Sequence, residues 1–418
     1  MHPAIAENSM APSPRHGDGQ GDDRPVTPGA DVVAAADWGP LTGPRLGVIT
    51  NPTGILADSL INIVDAMITS GKVDVAAVFG PEHGFRGTAQ AGYSEAGHTD
   101  ERTGVKVYDA YGADPDRFQT MFAQADIGTV VFDIQDVGAR FYTYVWTMYS
   151  AMIAAVRSGL DFVVLDRPNP IGGAARGPMI TDGFTSGVGV DKIIQAHGMT
   201  AGELARYFDG ELMPAAAGDK LGERLSVIKV KNWSPKMIFA DTGLVWVPPS
   251  PNMPTPDTAL LYPGTCLFEG TNLSEGRGTT RPFELIGAPY VDGRWTEWLN
   301  RREIEGVRFR EASFTPTFSK NADRICGGVQ VHILDPYILD PILVATEMLV
   351  GLKALYADFG WRSGDSYPGR GFDLLTGSAR FREQLEAGAP AEEIVGAWEQ
   401  ELADFERRRR AYLLYSRH

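Results

Sequence analysis

Glu82, His83 and Arg86 place an acid, an imidazole and a guanidinium in one glycine-rich turn, Val78-Phe79-Gly80-Pro81-Glu82-His83-Gly84-Phe85-Arg86-Gly87. A carboxyl beside glycine and Phe85 can be partly desolvated, which raises its proton affinity and suits it to act as a general acid. His83 can bond to that carboxyl or to a substrate. The structural alternative makes Glu82 an acceptor of backbone amides in a tight turn. A second acidic group follows in Asp133-Ile134-Gln135-Asp136-Val137-Gly138-Ala139-Arg140. With Glu82, Asp133 and Asp136 would supply the paired carboxylates of glycosidic bond cleavage, one as acid and the other as base or nucleophile. Alternatively, one caps the following helix and the other pairs with Arg140.

Arg86, Arg140 and Arg277 each offer a guanidinium fork for a carboxylate on a ligand, with surface salt bridging as the alternative for each. In Asp166-Arg167-Pro168-Asn169-Pro170-Ile171-Gly172-Gly173, the first two residues are expected to pair with each other, while Asn169 and the two glycines suit sugar hydroxyls. Glu269, Asn272, Glu275 and Arg277 are spaced so closely within Gly264–Gly278 that one loop must carry several of them. Tyr142, Tyr144 and Trp146 are read mostly as core, with one as a stacking face for a sugar.

Other chemistries lack their signatures. No Gly-x-Gly-x-x-Gly opens a helix after the first strand, and there is no Walker loop and no Gly-x-Ser-x-Gly elbow. His83, His98, Asp133 and Asp136 are metal-ligand types without a short ligand spacing, so no metal or cofactor is expected. A metal-dependent hydrolase remains a rival that a chelator would inactivate.

The elements that must position these residues alternate. Arg45–Thr50, Val73–Phe79, Gly128–Ile134 and Asp161–Leu165 read as strands, each ending in a polar loop. Helices are expected over 58–70, 116–124 and 142–157, and Thr200–Phe208 carries a capping box through Thr200 and Glu203. Such alternation predicts a doubly wound parallel sheet whose loops line one rim, the edge where open α/β sheets bind ligands. Six prolines, Pro248, Pro249, Pro251, Pro254, Pro256 and Pro263, predict an extended connector. The expected organisation is a disordered leader over 1–37, the sheet domain over 38–247, the connector over 248–263 and a smaller α+β domain over 264–418. One long helix is expected over 391–415.

Thirty-eight basic against 53 acidic residues, a net charge of -15, disfavour nucleic acid and anionic membrane as partners. No apolar run reaches the roughly 18 to 20 residues of a membrane span. The start of the chain lacks a basic n-region and an apolar h-region, so a cytoplasmic location is the default expectation. Cys266 and Cys326 are expected as two reduced buried thiols, a single disulfide being the alternative.

Taken in order, several motifs resemble the exo-β-N-acetylmuramidase family of glycoside hydrolases. They are Asn51-Pro52-Thr53-Gly54, the turn around Glu82, the Asp133 and Asp166 segments, His197-Gly198-Met199-Thr200, Pro251-Asn252-Met253-Pro254, and Phe268 to Thr279. The likeness runs from about Leu46 to the end, including Tyr412-Leu413-Leu414-Tyr415. It implies a Rossmann-like domain, a smaller C-terminal domain, and a cleft between them that removes N-acetylmuramic acid from non-reducing ends of peptidoglycan fragments. The family's acid would fall on Glu82, and a rim arginine would hold the muramic carboxylate. Asn51, Gln135, Asn252, Glu269 and Asn272 complete the expected substrate contacts. Many members of that family are exported, which sets the resemblance against the default location. A non-catalytic muropeptide-binding protein is the rival from another class.

Overall fold

The structure, a computed structural model, describes residues 25–417. Residues 1–24 of the expected leader lie outside the described residues. Residues 25–37 correct that expectation, because they are built into the first domain. Thr27 and Lys231 exchange backbone hydrogen bonds of 3.0 and 2.9 Å, and helix α1 (Gly29–Ala35) buries Ala30 and Val33. A side chain at Gly29 would meet the Ile228 carbonyl oxygen at 2.4 Å, so only glycine lets α1 approach the sheet this closely.

The strands of the first domain are β1 (Leu46–Thr50), β2 (Val75–Gly80), β3 (His98–Thr99), β4 (Lys106–Asp109), β5 (Thr129–Asp133) and β6 (Asp161–Leu165). A two-stranded ribbon, β7 (Arg176–Met179) and β8 (Ile194–Ala196), then precedes β9 (Leu225–Ile228). The main sheet runs β3-β4-β2-β1-β5-β6-β9 and is parallel apart from the edge pair β3–β4. Without β3, the six parallel strands lie in the chain order 3-2-1-4-5-6, the Rossmann arrangement.

Alternate residues of each strand face opposite layers, as the two-residue period requires. Val48, Val78, Val131 and Val163 pack with α1 and with α2 (Ile63–Ser70). Ile49, Phe79, Phe132 and Phe162 pack with α3 (Pro115–Ala125) and α4 (Thr143–Ser158). Both faces are therefore covered, which explains why the strands read as continuous apolar runs. The helix expected from residue 58 begins only at Ile63, where the Asn62 side chain accepts from Val64 N–H at 3.0 Å.

The second domain holds β10 (Leu285–Ala288), β11 (Val307–Phe314) and β12 (Cys326–Ile333) in an antiparallel sheet of order β10-β12-β11. The proline-rich stretch is not extended throughout. Pro256–Thr265 is a helix, with Thr255 capping it by accepting from Thr258 N–H at 3.2 Å and Pro256 in the first turn, where no donor is needed. The single helix expected over 391–415 is also corrected. It is split into Ala391–Gly396 and Glu399–Arg409, with Trp398 buried at the break. Cys266 and Cys326 are free and buried. Among the described residues no helix is long and apolar enough to cross a membrane.

Beyond Arg409 the chain returns to the first domain. Leu414 N–H donates to the buried Glu203 carboxylate at 2.9 Å, as does the Arg417 guanidinium. Glu203 also completes the capping box of α5 (Ala201–Tyr207). Tyr415 Oη donates to Asp166 Oδ2 at 2.6 Å. Burial pushes the Asp166 pKa up to about 6, against the pull of Tyr415, Gly202 and Thr200. A raised carboxyl pKa means that the folded state binds the proton more tightly than the unfolded one. Stability from this group is therefore highest below about pH 4 and falls as pH rises to about 6, by at most about 3 kcal/mol at ~1.4 kcal/mol per unit. Urea denaturation at stepped pH should show this falling component in the wild type and not in Asp166→Asn. Equal slopes in both proteins would refute it.

Candidate active site

The loop after β2 is shaped by sterics. A Cβ at Gly80 would sit 2.8 Å from Phe85 N, so the turn closes only over glycine. His83 adopts φ +71°, a left-handed conformation uncommon for a side-chain-bearing residue and typical of strained functional loops. It is held there by its N–H to the Tyr93 carbonyl and by Nδ1–H to the Ala89 carbonyl, both 3.0 Å. The loop is thereby folded back so that Gly92 N–H reaches Glu82 Oε1 at 2.7 Å. The other carboxylate oxygen, Oε2, accepts from Thr143 Oγ1 at 2.7 Å. Thr143 is the first residue of α4, the helix that follows β5.

Glu82 opens onto a cleft of about 770 Å3 between the two domains, within the usual range for small-molecule sites. The first domain contributes Glu82, His83, Tyr111 and the amino end of α4, and the second contributes Tyr262, Glu269, Glu275, Arg277 and Lys320. Four phenols surround the acids. Burial raises the pKa of Tyr111, Tyr142 and Tyr144, and the Glu82 charge adds to it. Burial also raises that of Tyr262, helped by Cys266 and Glu269. All four stay protonated at neutral pH; the Tyr144 hydroxyl already donates to the Pro249 carbonyl, and Tyr111, the one of the four that is not buried, offers its ring and hydroxyl to a sugar.

The opposite wall is an alternating chain of charges. Arg277 bonds to Glu269 at 2.6 Å and approaches Glu275 at 3.3 Å, and Lys320 contacts Glu275 at 3.0 Å. Burial works against the Arg277 charge, but the two glutamates more than offset it and hold its pKa above the ordinary value. Arg277 also lies over the Phe283 ring, 5.0 Å from its centroid. Its Nη1 has no hydrogen-bond partner among the described residues.

Several sequence candidates are placed elsewhere. Asp133 is fully buried in a bidentate ion pair with Arg167, whose Nη2 lies 2.9 Å from Oδ2. The Asp166 carboxylate therefore forms no ion pair with the Arg167 guanidinium and takes only its backbone N–H, at 3.1 Å. It also accepts from Thr200, Gly202 and Tyr415. Asp136 accepts from Gly138 N–H at 2.8 Å and faces the buried His197 at 3.2 Å, so it neither caps α4 nor meets Arg140. Neither aspartate lines the cleft. Arg140 is fully buried and donates to the carbonyls of Pro178, Ile193 and Leu375. Arg86 pairs with Asp65 and Asp100, each at 2.8 Å, outside the cleft.

The amides are largely structural. Gln135 donates to the Asp136 and Pro168 carbonyls and lines a separate cavity of about 20 Å3. Asn169 braces the Met199 carbonyl, and Asn272 joins Tyr290 to the Asp358 and Gly360 backbone. Asn51 Oδ1 accepts from Thr53, and Asn252 N–H donates to Ser250 Oγ. The side-chain nitrogens of Asn51 and Asn252 have no hydrogen-bond partner among the described residues. Of the expected residues, the structure brings together Glu82, His83, Glu269, Glu275 and Arg277. Sequence reasoning missed Thr143, Tyr111, Tyr262 and Lys320. Thr143 lies between two tyrosines already noted, and its position at a helix start was the available signal.

A Rossmann-ordered domain that faces an α+β domain across a wide cleft, with phenols and paired charges around one unpaired carboxylate, defines a two-domain α/β protein built to bind a polar ring. Sequence comparison makes this specific. The chain belongs to the exo-β-N-acetylmuramidase NamZ family of glycoside hydrolases, whose N-terminal model matches residues 46–257 and whose C-terminal model matches 260–415. It is 44% identical over 393 residues to the peptidoglycan β-N-acetylmuramidase NamZ of Bacillus subtilis strain 168, covering 93% of this chain and 91% of that one. Crystal structures of two DUF1343 family proteins from Bacteroides fragilis are similar to it. One is 35% identical with a TM-score of 0.82 and the other 30% with 0.72, each covering 94% of this chain and 99% of its own.

Proposed function

We propose that this chain releases N-acetylmuramic acid from the non-reducing ends of peptidoglycan fragments, with Glu82 as general acid. The observation that carries the assignment of the acid is its isolation. Among the described carboxylates lining the cleft, Glu82 is the one without a cation partner, while Glu269 and Glu275 are tied to Arg277 and Lys320. The peptidoglycan β-N-acetylmuramidase activity for which the Bacillus subtilis relative is named supports the substrate class. Of the three arginines considered, Arg277 alone lines the cleft, and a guanidinium there is suited to the lactyl carboxylate of a muramic residue.

Glu82 gives its proton to the glycosidic oxygen as the bond to the anomeric carbon breaks. With no second unpaired carboxylate among the described residues of the cleft wall, the acetamido oxygen of the substrate attacks that carbon and forms a cyclic intermediate. Water then opens the ring, giving its proton back to Glu82. Two displacements at one carbon retain its configuration.

The test is incubation with the disaccharide N-acetylmuramic acid β-1,4-N-acetylglucosamine, followed by mass spectrometry and proton NMR. Free N-acetylmuramic acid appearing first as the β-anomer is expected, with no cleavage of the N-acetylglucosamine-capped analogue. Initial α-anomer would overturn the acetamido route. Binding without release would favour a muropeptide-binding protein.

A further inference from the structure

We propose that Thr143 is the positioning residue of Glu82, fixing the plane of its carboxyl so that the unused lone pairs face the bound sugar. The inference rests on Glu82 being the acid. Each Glu82 oxygen accepts one hydrogen bond, from Thr143 Oγ1 and from Gly92 N–H, both at 2.7 Å. A carboxylate offers about four lone-pair sites, so these two contacts leave two sites for chemistry.

The two anchors differ in kind. Thr143 opens a 16-residue helix whose following residues Tyr144 to Tyr149 are all buried, so its hydroxyl is held by the packed body of the domain. Gly92 lies in the loop at the mouth of the cleft, beside the exposed Tyr93. They also differ in chemistry. A backbone N–H can only donate, whereas a hydroxyl donates to an ionised carboxylate and accepts from a protonated carboxyl. Thr143 can therefore stay bonded to Glu82 through both halves of a reaction in which the proton leaves and returns.

The test compares Thr143→Val, which keeps the shape and branching, with Thr143→Ser, which keeps the hydroxyl, and with Glu82→Gln. Steady-state kinetics on the muramic disaccharide should show kcat for Thr143→Val lowered by about 10- to 100-fold, the scale of a misplaced catalytic group. KM should stay within about twofold, because valine keeps the shape of the cleft wall and the hydroxyl it removes is committed to Glu82. Thr143→Ser should recover most of the lost kcat. If Glu82→Gln is inactive and Thr143→Val turns over like the wild type, the positioning role is refuted while Glu82 keeps its own. A serine variant as slow as the valine variant would also refute it, since the hydroxyl would then not be the cause. Full activity in Glu82→Gln would remove the assignment of the acid and this inference with it.

Discussion

Glu82→Gln should lose about 10²- to 10⁴-fold in kcat, the contribution of a positioned general acid, while still binding substrate. The substitution is well matched to its surroundings. A glutamine at this position can accept from Gly92 N–H with its oxygen and donate to Thr143 Oγ1 with its nitrogen, so both contacts survive in altered form. What is lost is the transferable proton. The measurement is the rate of N-acetylmuramic acid release, with calorimetry to follow binding of the same disaccharide. Undiminished turnover would remove Glu82 from the chemistry and leave the cleft with only its ion-paired acids.

The second large effect is expected at Asp133 and falls on stability. The Asp133 side chain is fully buried and that of Arg167 is 6% exposed, and the guanidinium also donates to the Ile55 carbonyl at 2.9 Å. Asp133→Ala leaves that cation buried without its counter-ion, a change of about 3–5 kcal/mol in other buried pairs. Urea denaturation should show this loss, and turnover per folded molecule should be unchanged. Unaltered stability with lost turnover would return Asp133 to a direct part in the reaction.

The pairing also explains how the Rossmann crevice has been altered. Winding reverses between β1 and β5, the switch point where such sheets bind their ligands. Here Asp133 at the end of β5, joined to Arg167 beyond β6, fills that position. The cleft lies instead beyond β2 and β4, against the amino end of α4.

Much of this was legible locally. The Gly80-Pro81 break placed Glu82 at a strand end, and Thr200 with Glu203 marked the start of α5 through a capping pattern that the structure contains. The errors came from contacts that adjacency hides. Asp166 and Arg167 are neighbours in extended chain, where successive side chains point to opposite sides. One therefore reaches α5 and the other the end of the adjacent strand. Arg140 is bonded to three carbonyls, the most distant from Leu375, and no local pattern distinguishes such a brace from a ligand-binding arginine. Tyr262 and Lys320 enter the cleft from the second domain, and their role depends on how the two domains meet.

The returning C-terminal segment has a consequence for how the molecule is made. Glu203 is fully buried, and its partners include Leu414, Tyr415 and Arg417, more than two hundred residues later. During vectorial synthesis the sheet can assemble early, but this carboxylate waits for chain made more than two hundred residues later, a contact of long sequence separation and slow closure. The two halves matched by separate family models are thus joined by buried hydrogen bonds as well as by the chain. A gene fragment ending near residue 257 would yield a first domain with a buried charge stripped of those donors, prone to associate before it could be assayed.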